Sequence, residues 1–72
     1  MDGIWTAKVT GDGTTMTVVL DQRGVGPGKA PADTEAIRVA RAEAPVWAEA
    51  PAVDVTGKLM DAGRITWLLK RS

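Results

Sequence analysis

Ile4-Trp5-Thr6-Ala7-Lys8-Val9-Thr10-Gly11-Asp12-Gly13-Thr14-Thr15-Met16-Thr17-Val18-Val19-Leu20 decides the fold, because it reads as a β-hairpin whose register follows from the residues. Two alternating runs, Ile4 to Thr10 and Thr14 to Leu20, flank a Gly-Asp-Gly turn. A type I′ turn on Asp12-Gly13 sets Gly11 against Thr14, and then Val9 against Met16, Ala7 against Val18 and Trp5 against Leu20. Those pairs are all apolar, while the opposite face collects Thr10 with Thr15, Lys8 with Thr17 and Thr6 with Val19. A one-residue slip would set apolar residues against polar ones, so turn chemistry and pattern agree on one register.

Ala52 to Met60 and Arg64 to Lys70 read as a second hairpin across Asp61-Ala62-Gly63. A three-residue loop with Gly63 left-handed pairs Leu59 with Ile65, Gly57 with Trp67 and Val55 with Leu69. On that register the Trp67 indole lies over Gly57 and replaces packing that glycine lacks. A helix over Lys58 to Arg71 competes, with Leu59, Met60, Trp67 and Leu68 inside; Gly63 and the β-branched pair Ile65-Thr66 weigh against it.

Between the hairpins a Gly- and Pro-rich loop, Gln22 to Pro31, leads into a helix from about Thr34 to Ala44. Asp33 or Thr34 is placed to cap it, Glu35 suits its first turn, and Pro45 ends it. Ala36, Ala40 and Ala44 recur every fourth residue beside Ile37, a small-residue stripe that lets the helix approach a sheet, with Glu35, Arg38 and Arg41 toward water. In the connector Val46 to Pro51, Trp47 is the one large aromatic group and reads as a plug over the end of the core rather than a ligand platform. The fold class expected is α+β, with ββαββ order: an antiparallel or mixed four-stranded sheet with one helix on one face. Residues 1–72 read as a single small domain.

A chain of 72 residues buries only about 60% of its unfolded surface. One helix covers only one sheet face, and strand edges stay open. Both arguments predict a homo-oligomer or a complex with a protein partner. Nine basic and nine acidic residues give zero formal net charge, which removes the attraction on which most nucleic-acid binding depends. Lys58, Lys70 and Arg71 read as a solvated face rather than a basic patch. No apolar run reaches membrane-spanning length, and no signal-peptide pattern opens the chain; with no cysteine, these features predict a cytoplasmic protein.

The chain contains no His, Cys or Tyr, and its one Ser is Ser72, so nucleophilic Ser-His or Cys-His chemistry is excluded, as are the usual zinc sites. Carboxylates remain. Asp21 ends one strand and Asp54 starts another, and both read as solvated rather than as metal ligands. The loop Gly24-Val25-Gly26-Pro27-Gly28-Lys29-Ala30 imitates a phosphate cradle but fails its pattern: Arg23 stands where the first Gly is needed, Ala30 stands where Ser or Thr is needed, and Pro27 removes an amide. No catalytic, cofactor-binding or metal-ligating residue is predicted, and no enzyme activity.

Ala7-Lys8-Val9-Thr10-Gly11-Asp12-Gly13, Thr17-Val18-Val19-Leu20, Gly26-Pro27-Gly28, Thr34-Glu35-Ala36 and Ala40-Arg41-Ala42, with Val53-Asp54-Val55 as a returning strand, resemble in order the N-terminal domain of HicB-type antitoxins. The resemblance spans about residues 4 to 56. It implies a partial ribonuclease H-like sheet without ribonuclease activity, which binds and occludes a small messenger-RNA-cleaving toxin. The second strand lacks the aromatic residues common in that family, and no family-defined binding residue is carried over. A rival reading is a small phage or accessory protein that binds a host protein through a sheet edge. Either way, the candidate partner-binding residues are Thr6, Lys8, Thr15 and Thr17, on the hairpin face turned from the helix.

Overall fold

A computed structural model describes residues 3–23 and 31–72. Its elements are β1 (Ile4–Thr10), β2 (Thr15–Asp21), α1 (Asp33–Glu43), α2 (Pro45–Ala48), β3 (Val53–Asp61) and β4 (Arg64–Arg71). The strands form one antiparallel sheet in the order β1-β2-β4-β3, so the hairpins join through their second strands and leave β1 and β3 as edges. This is the expected α+β arrangement, with strands rather than a helix over residues 58–71. The loop singled out for its imitation of a phosphate cradle, residues 24–30, lies outside the described residues.

The first hairpin has the register expected, from Trp5 opposite Leu20 to Thr10 opposite Thr15. Its turn differs. Positive φ falls on Gly11 (62°) and Gly13 (95°) and not on Asp12, so the turn is not a type I′ pair on Asp12-Gly13. Asp12 instead accepts hydrogen bonds from the Thr14 amide (3.1 Å) and hydroxyl (2.6 Å). The register survives because four connecting residues keep the same side chains facing each other as two would.

The second hairpin corrects the expected register. Ala62 (φ 48°) and Gly63 (φ 81°) form a two-residue turn, so Asp61 faces Arg64, Met60 faces Ile65, and Lys58 rather than Gly57 faces Trp67. Positive φ at two central residues is the type I′ signature, whose twist matches that of the strands. A bulge between Val55 and Gly57 then absorbs one residue, Thr56, and restores the expected pairing of Val55 with Leu69. Gly57 is covered by Leu68, not by Trp67.

Under α1 and α2 lie Met16, Val18, Leu20, Ile65, Trp67 and Leu69 from the central strands, closed by Ala36 and Ala40 from α1 and Trp47 from α2. Trp5, Ala7, Val53 and Val55 pack on this core from the edges. The small-residue stripe does what its spacing implies, since Ala36 and Ala40 are fully buried. Its flank is Val39 rather than Ile37, which is only half-buried and outside the core cluster. Trp47 plugs the core as expected and donates its indole N–H to the Gly13 carbonyl at 3.1 Å, where Arg71 Nε also donates at 3.0 Å.

Other polar expectations change. Neither Asp33 nor Thr34 caps α1, whose N-cap position is Ala32 with no side-chain cap. Asp33 instead accepts from the indole N–H of buried Trp67 at 3.0 Å and pairs with Lys58 at 3.4 Å. Arg41 does not point to water: its Nη1 reaches the carbonyl oxygens of Trp47 (3.0 Å), Ala48 (3.2 Å) and Ala50 (2.9 Å), tying the connector to α1. These carbonyls lie at and just after the C-terminal end of the single-turn helix α2, where carbonyls lack the full set of intrahelical donors.

Candidate functional site

Helices cover one face of the sheet, and the candidate site is the other. The register orders it into four rows across β1, β2, β4 and β3. Ile4, Asp21, Arg64 and Asp61 form the first row; Thr6, Val19, Thr66 and Leu59 the second; Lys8, Thr17, Leu68 and Gly57 the third; Thr10, Thr15, Lys70 and Asp54 the last. All four predicted candidates, Thr6, Lys8, Thr15 and Thr17, therefore stand on this face, on adjacent strands. Thr6 and Lys8 are exposed and Thr15 and Thr17 half-buried. Thr15 is committed within the hairpin: its Oγ1 donates to the Thr10 carbonyl at 3.0 Å and meets Thr10 Oγ1 at 2.7 Å.

The second and third rows hold one charge, Lys8, at the β1 edge. Between the edges stand Val19, Thr17, Thr66 and Leu68, and Leu59 closes the second row on β3. Leu68 is 42% and Leu59 64% exposed, large for aliphatic side chains on a sheet. Ile4, Thr6, Val19, Asp21, Arg64 and Thr66 line a shallow depression of about 360 Å³ at the first-row end. The centre of this face is therefore poor in charge, and its charged residues stand mostly in the end rows.

Leu59, Thr66 and Leu68 were not among the predicted candidates. Leu59's face depends on the two-residue turn at Ala62-Gly63, and Thr66 and Leu68 continue the first hairpin's uncovered face because of how the two hairpins join. The three-residue loop expected from the sequence aims Leu59 into the core beside Ile65, whereas it stands opposite Thr66 on the uncovered face. The signal was Ala62-Gly63 itself, a left-handed pair once Asp61 is given to the strand.

Electrostatically the first row is anchored at Asp21. Arg23 hydrogen-bonds its carboxylate through Nη2 (2.6 Å) and Nε (3.0 Å), and Arg64 lies 3.6 Å away. The Arg23 guanidinium, followed by the Arg23 amide, holds the Asp21 carboxyl down to about 2. Asp21 and Asp54 occupy opposite end rows, and no three carboxylates cluster among the described residues. Lys58, Lys70 and Arg71 do not form one surface. Lys58 sits on the helix side over the Trp67 ring at 5.6 Å, Lys70 is on the uncovered face, and Arg71 is half-buried against Gly13. Lys58 and Lys70 are both exposed, but on opposite faces, so the reading of the three as one solvated face does not hold.

No helix among the described residues is long and apolar enough to cross a membrane. No family model, curated protein or solved structure matches the chain.

Proposed function

We propose that this chain is a non-catalytic protein-binding module that works through the uncovered sheet face, in the manner of the HicB-type antitoxins whose motif order it resembles. The observation that carries the reading is the charge-poor centre of Leu59, Thr66, Val19, Leu68 and Thr17, in which Leu59 and Leu68 are exposed, bounded by charge at both ends on the sheet face opposite the helices. A surface of that kind gains most from excluding water against another protein. Zero net charge turns it away from phosphate backbones, and the lack of His, Cys and Tyr leaves occlusion of a partner, not chemistry, as its means of action. The partner in the sharper form of the proposal is a small messenger-RNA-cleaving toxin, and the protein acts in the cytoplasm.

Co-expression with a small toxin encoded beside this gene tests both levels. The expected result is growth rescue and a co-purifying complex, both lost in Leu68→Arg while its thermal midpoint stays unchanged. Failure to neutralise any neighbouring toxin overturns the antitoxin form. Capture of a host protein instead, lost in the same variant, keeps the docking face and makes the chain an accessory module. A complex indifferent to Leu68→Arg removes the face from the proposal.

A further inference from the structure

We infer that β1 is a dimerisation edge, which pairs antiparallel with β1 of a second copy about a two-fold axis at Ala7. The inference concerns the edge and does not rest on the function proposed for the face. The Arg71 amide donates to the Thr14 carbonyl at 2.9 Å and the Gln22 amide to the Gly63 carbonyl at 2.7 Å, at the two ends of the β2–β4 ladder. Hydrogen-bonded pairs alternate along an antiparallel ladder. Met16, Val18 and Leu20 therefore turn their backbone groups to β4, and Thr15, Thr17, Val19 and Asp21 turn theirs to β1. Their partners Thr10, Lys8, Thr6 and Ile4 face inward, so the backbone amides and carbonyls of Trp5, Ala7 and Val9 point out of the edge.

The two edges differ in how they meet a further strand. β3 is interrupted by its bulge at Thr56, whose hydroxyl donates to the Leu68 carbonyl at 3.0 Å, and it carries Asp54, Lys58 and Asp61. Bulges and charges are what closes an edge to strand addition. β1 runs seven residues without bulge or proline, with Lys8 as its one charge. Among the described residues, β2 is its only strand neighbour.

The sequence of β1 fits its own reverse. With the axis at Ala7, the outward-facing pairs are Ala7 with Ala7 and Trp5 with Val9 of the second copy. The Trp5 and Val9 side chains meet on the helix side, and Val9, 39% exposed, continues the apolar layer into the partner. On the other side Lys8 faces Thr6 and Ile4 faces Thr10, so no like charges oppose; an axis at Lys8 would set the two lysines together. The product is an eight-stranded sheet with all helices on one side and both uncovered faces continuous on the other. Edge pairing alone makes a small interface, of the reversible class.

Sedimentation equilibrium from about 5 µM to about 1 mM tests this on the wild type, Ala7→Pro, Thr6→Lys and Thr6→Glu. The wild type is expected to dimerise reversibly. Ala7→Pro removes an outward amide, which an edge strand tolerates, and is expected to give a folded monomer. Thr6 is exposed and faces Lys8 of the second copy twice, so Thr6→Lys should weaken the dimer by about fivefold to tenfold and Thr6→Glu strengthen it similarly. The Thr6 pair decides the matter even where Ala7→Pro fails to fold. A wild type monomeric throughout overturns the inference, as does a dimer indifferent to both Thr6 charges. A dimer lost in Leu68→Arg but kept in Ala7→Pro overturns it too, in favour of face-to-face association.

Discussion

Trp5 on the β1 edge reaches across β2 to stack on Trp67 of β4, with ring centroids 5.4 Å apart and planes 23° from parallel. Trp67 in turn is fastened to α1 through Asp33. Edge strand, central strand and helix are thus joined by one indole pair and one hydrogen bond, on the side of the sheet that holds the core. Aromatic pairs of this geometry add about 0.5–1.5 kcal/mol beyond their buried area. Trp5→Leu is expected to lower stability by about 1 kcal/mol and to abolish the exciton feature of stacked indoles in the circular dichroism spectrum. An unchanged spectrum would show that the rings do not stack in solution.

Ala62 holds a left-handed backbone conformation that costs a residue with a Cβ about 1–2 kcal/mol. Asn tolerates it, and Asn-Gly is the favoured type I′ pair. Ala62→Asn should therefore stabilise the protein by about 1 kcal/mol, raising the thermal midpoint by roughly 4–8 °C. A three-residue loop at this turn would give no gain, so calorimetry on this variant also checks the register that exposes Leu59.

Arg41 is a strut rather than a surface charge. Arg41→Ala removes the side-chain hydrogen bonds to three connector carbonyls and should cost about 2 kcal/mol in urea denaturation. Arg38→Ala, which loses only an exposed pair with Glu35, should change stability by less than about 0.5 kcal/mol. Equal effects of the two substitutions would contradict the strut.

Stability should fall in acid. Asp21 lies at about 2 against an ordinary 3.8 because of Arg23, while Asp12 is lowered by Thr14 and Asp33 by Trp67 and then Lys58. A carboxyl lowered on folding contributes fully above its unfolded value, and the contribution is lost as pH falls through the folded one. The thermal midpoint should accordingly drop between about pH 4 and about pH 2, and Asp21→Asn should flatten that drop while lowering the midpoint near neutrality. A midpoint that rises in acid would reverse the assignment.

Gly57 and Gly3 separate packing from strain. Gly57 has ordinary φ, and an added Cβ would lie 3.1 Å from the tip of the exposed Leu68 side chain, which has room to turn away. Gly3 sits at φ 126°, where a Cβ would come within 2.4 Å of the Asp21 carbonyl. Gly57→Ala is expected to be neutral or stabilising by about 0.5 kcal/mol, and Gly3→Ala clearly destabilising. Parallel denaturation curves distinguish them.

Local chemistry was enough to read the first hairpin, the helix and the order of the elements. Alternation of apolar and polar residues specifies which strand face is buried, and a one-residue slip is penalised at every position, so the register from Trp5 with Leu20 to Thr10 with Thr15 was legible without knowing the turn type. Alanine spacing likewise marked the buried stripe at Ala36 and Ala40, and the isolation of Trp47 marked the plug. Thr6, Lys8, Thr15 and Thr17 could be placed together on one face for the same reason. The tertiary structure decided what depends on distant partners. Whether Asp33 caps a helix or binds Trp67, and whether Arg41 meets water or carbonyls, turns on groups that only folding brings near. The Thr56 bulge and the Ala62-Gly63 turn each shift β3 by one residue in compensating directions, so the pattern of that strand alone could not assign Leu59 a face. The joining of β2 to β4, which creates the uncovered surface and leaves β1 as the clean edge, is a non-local choice, because every strand in an antiparallel sheet offers the same backbone groups to any neighbour and only the packed core selects among them.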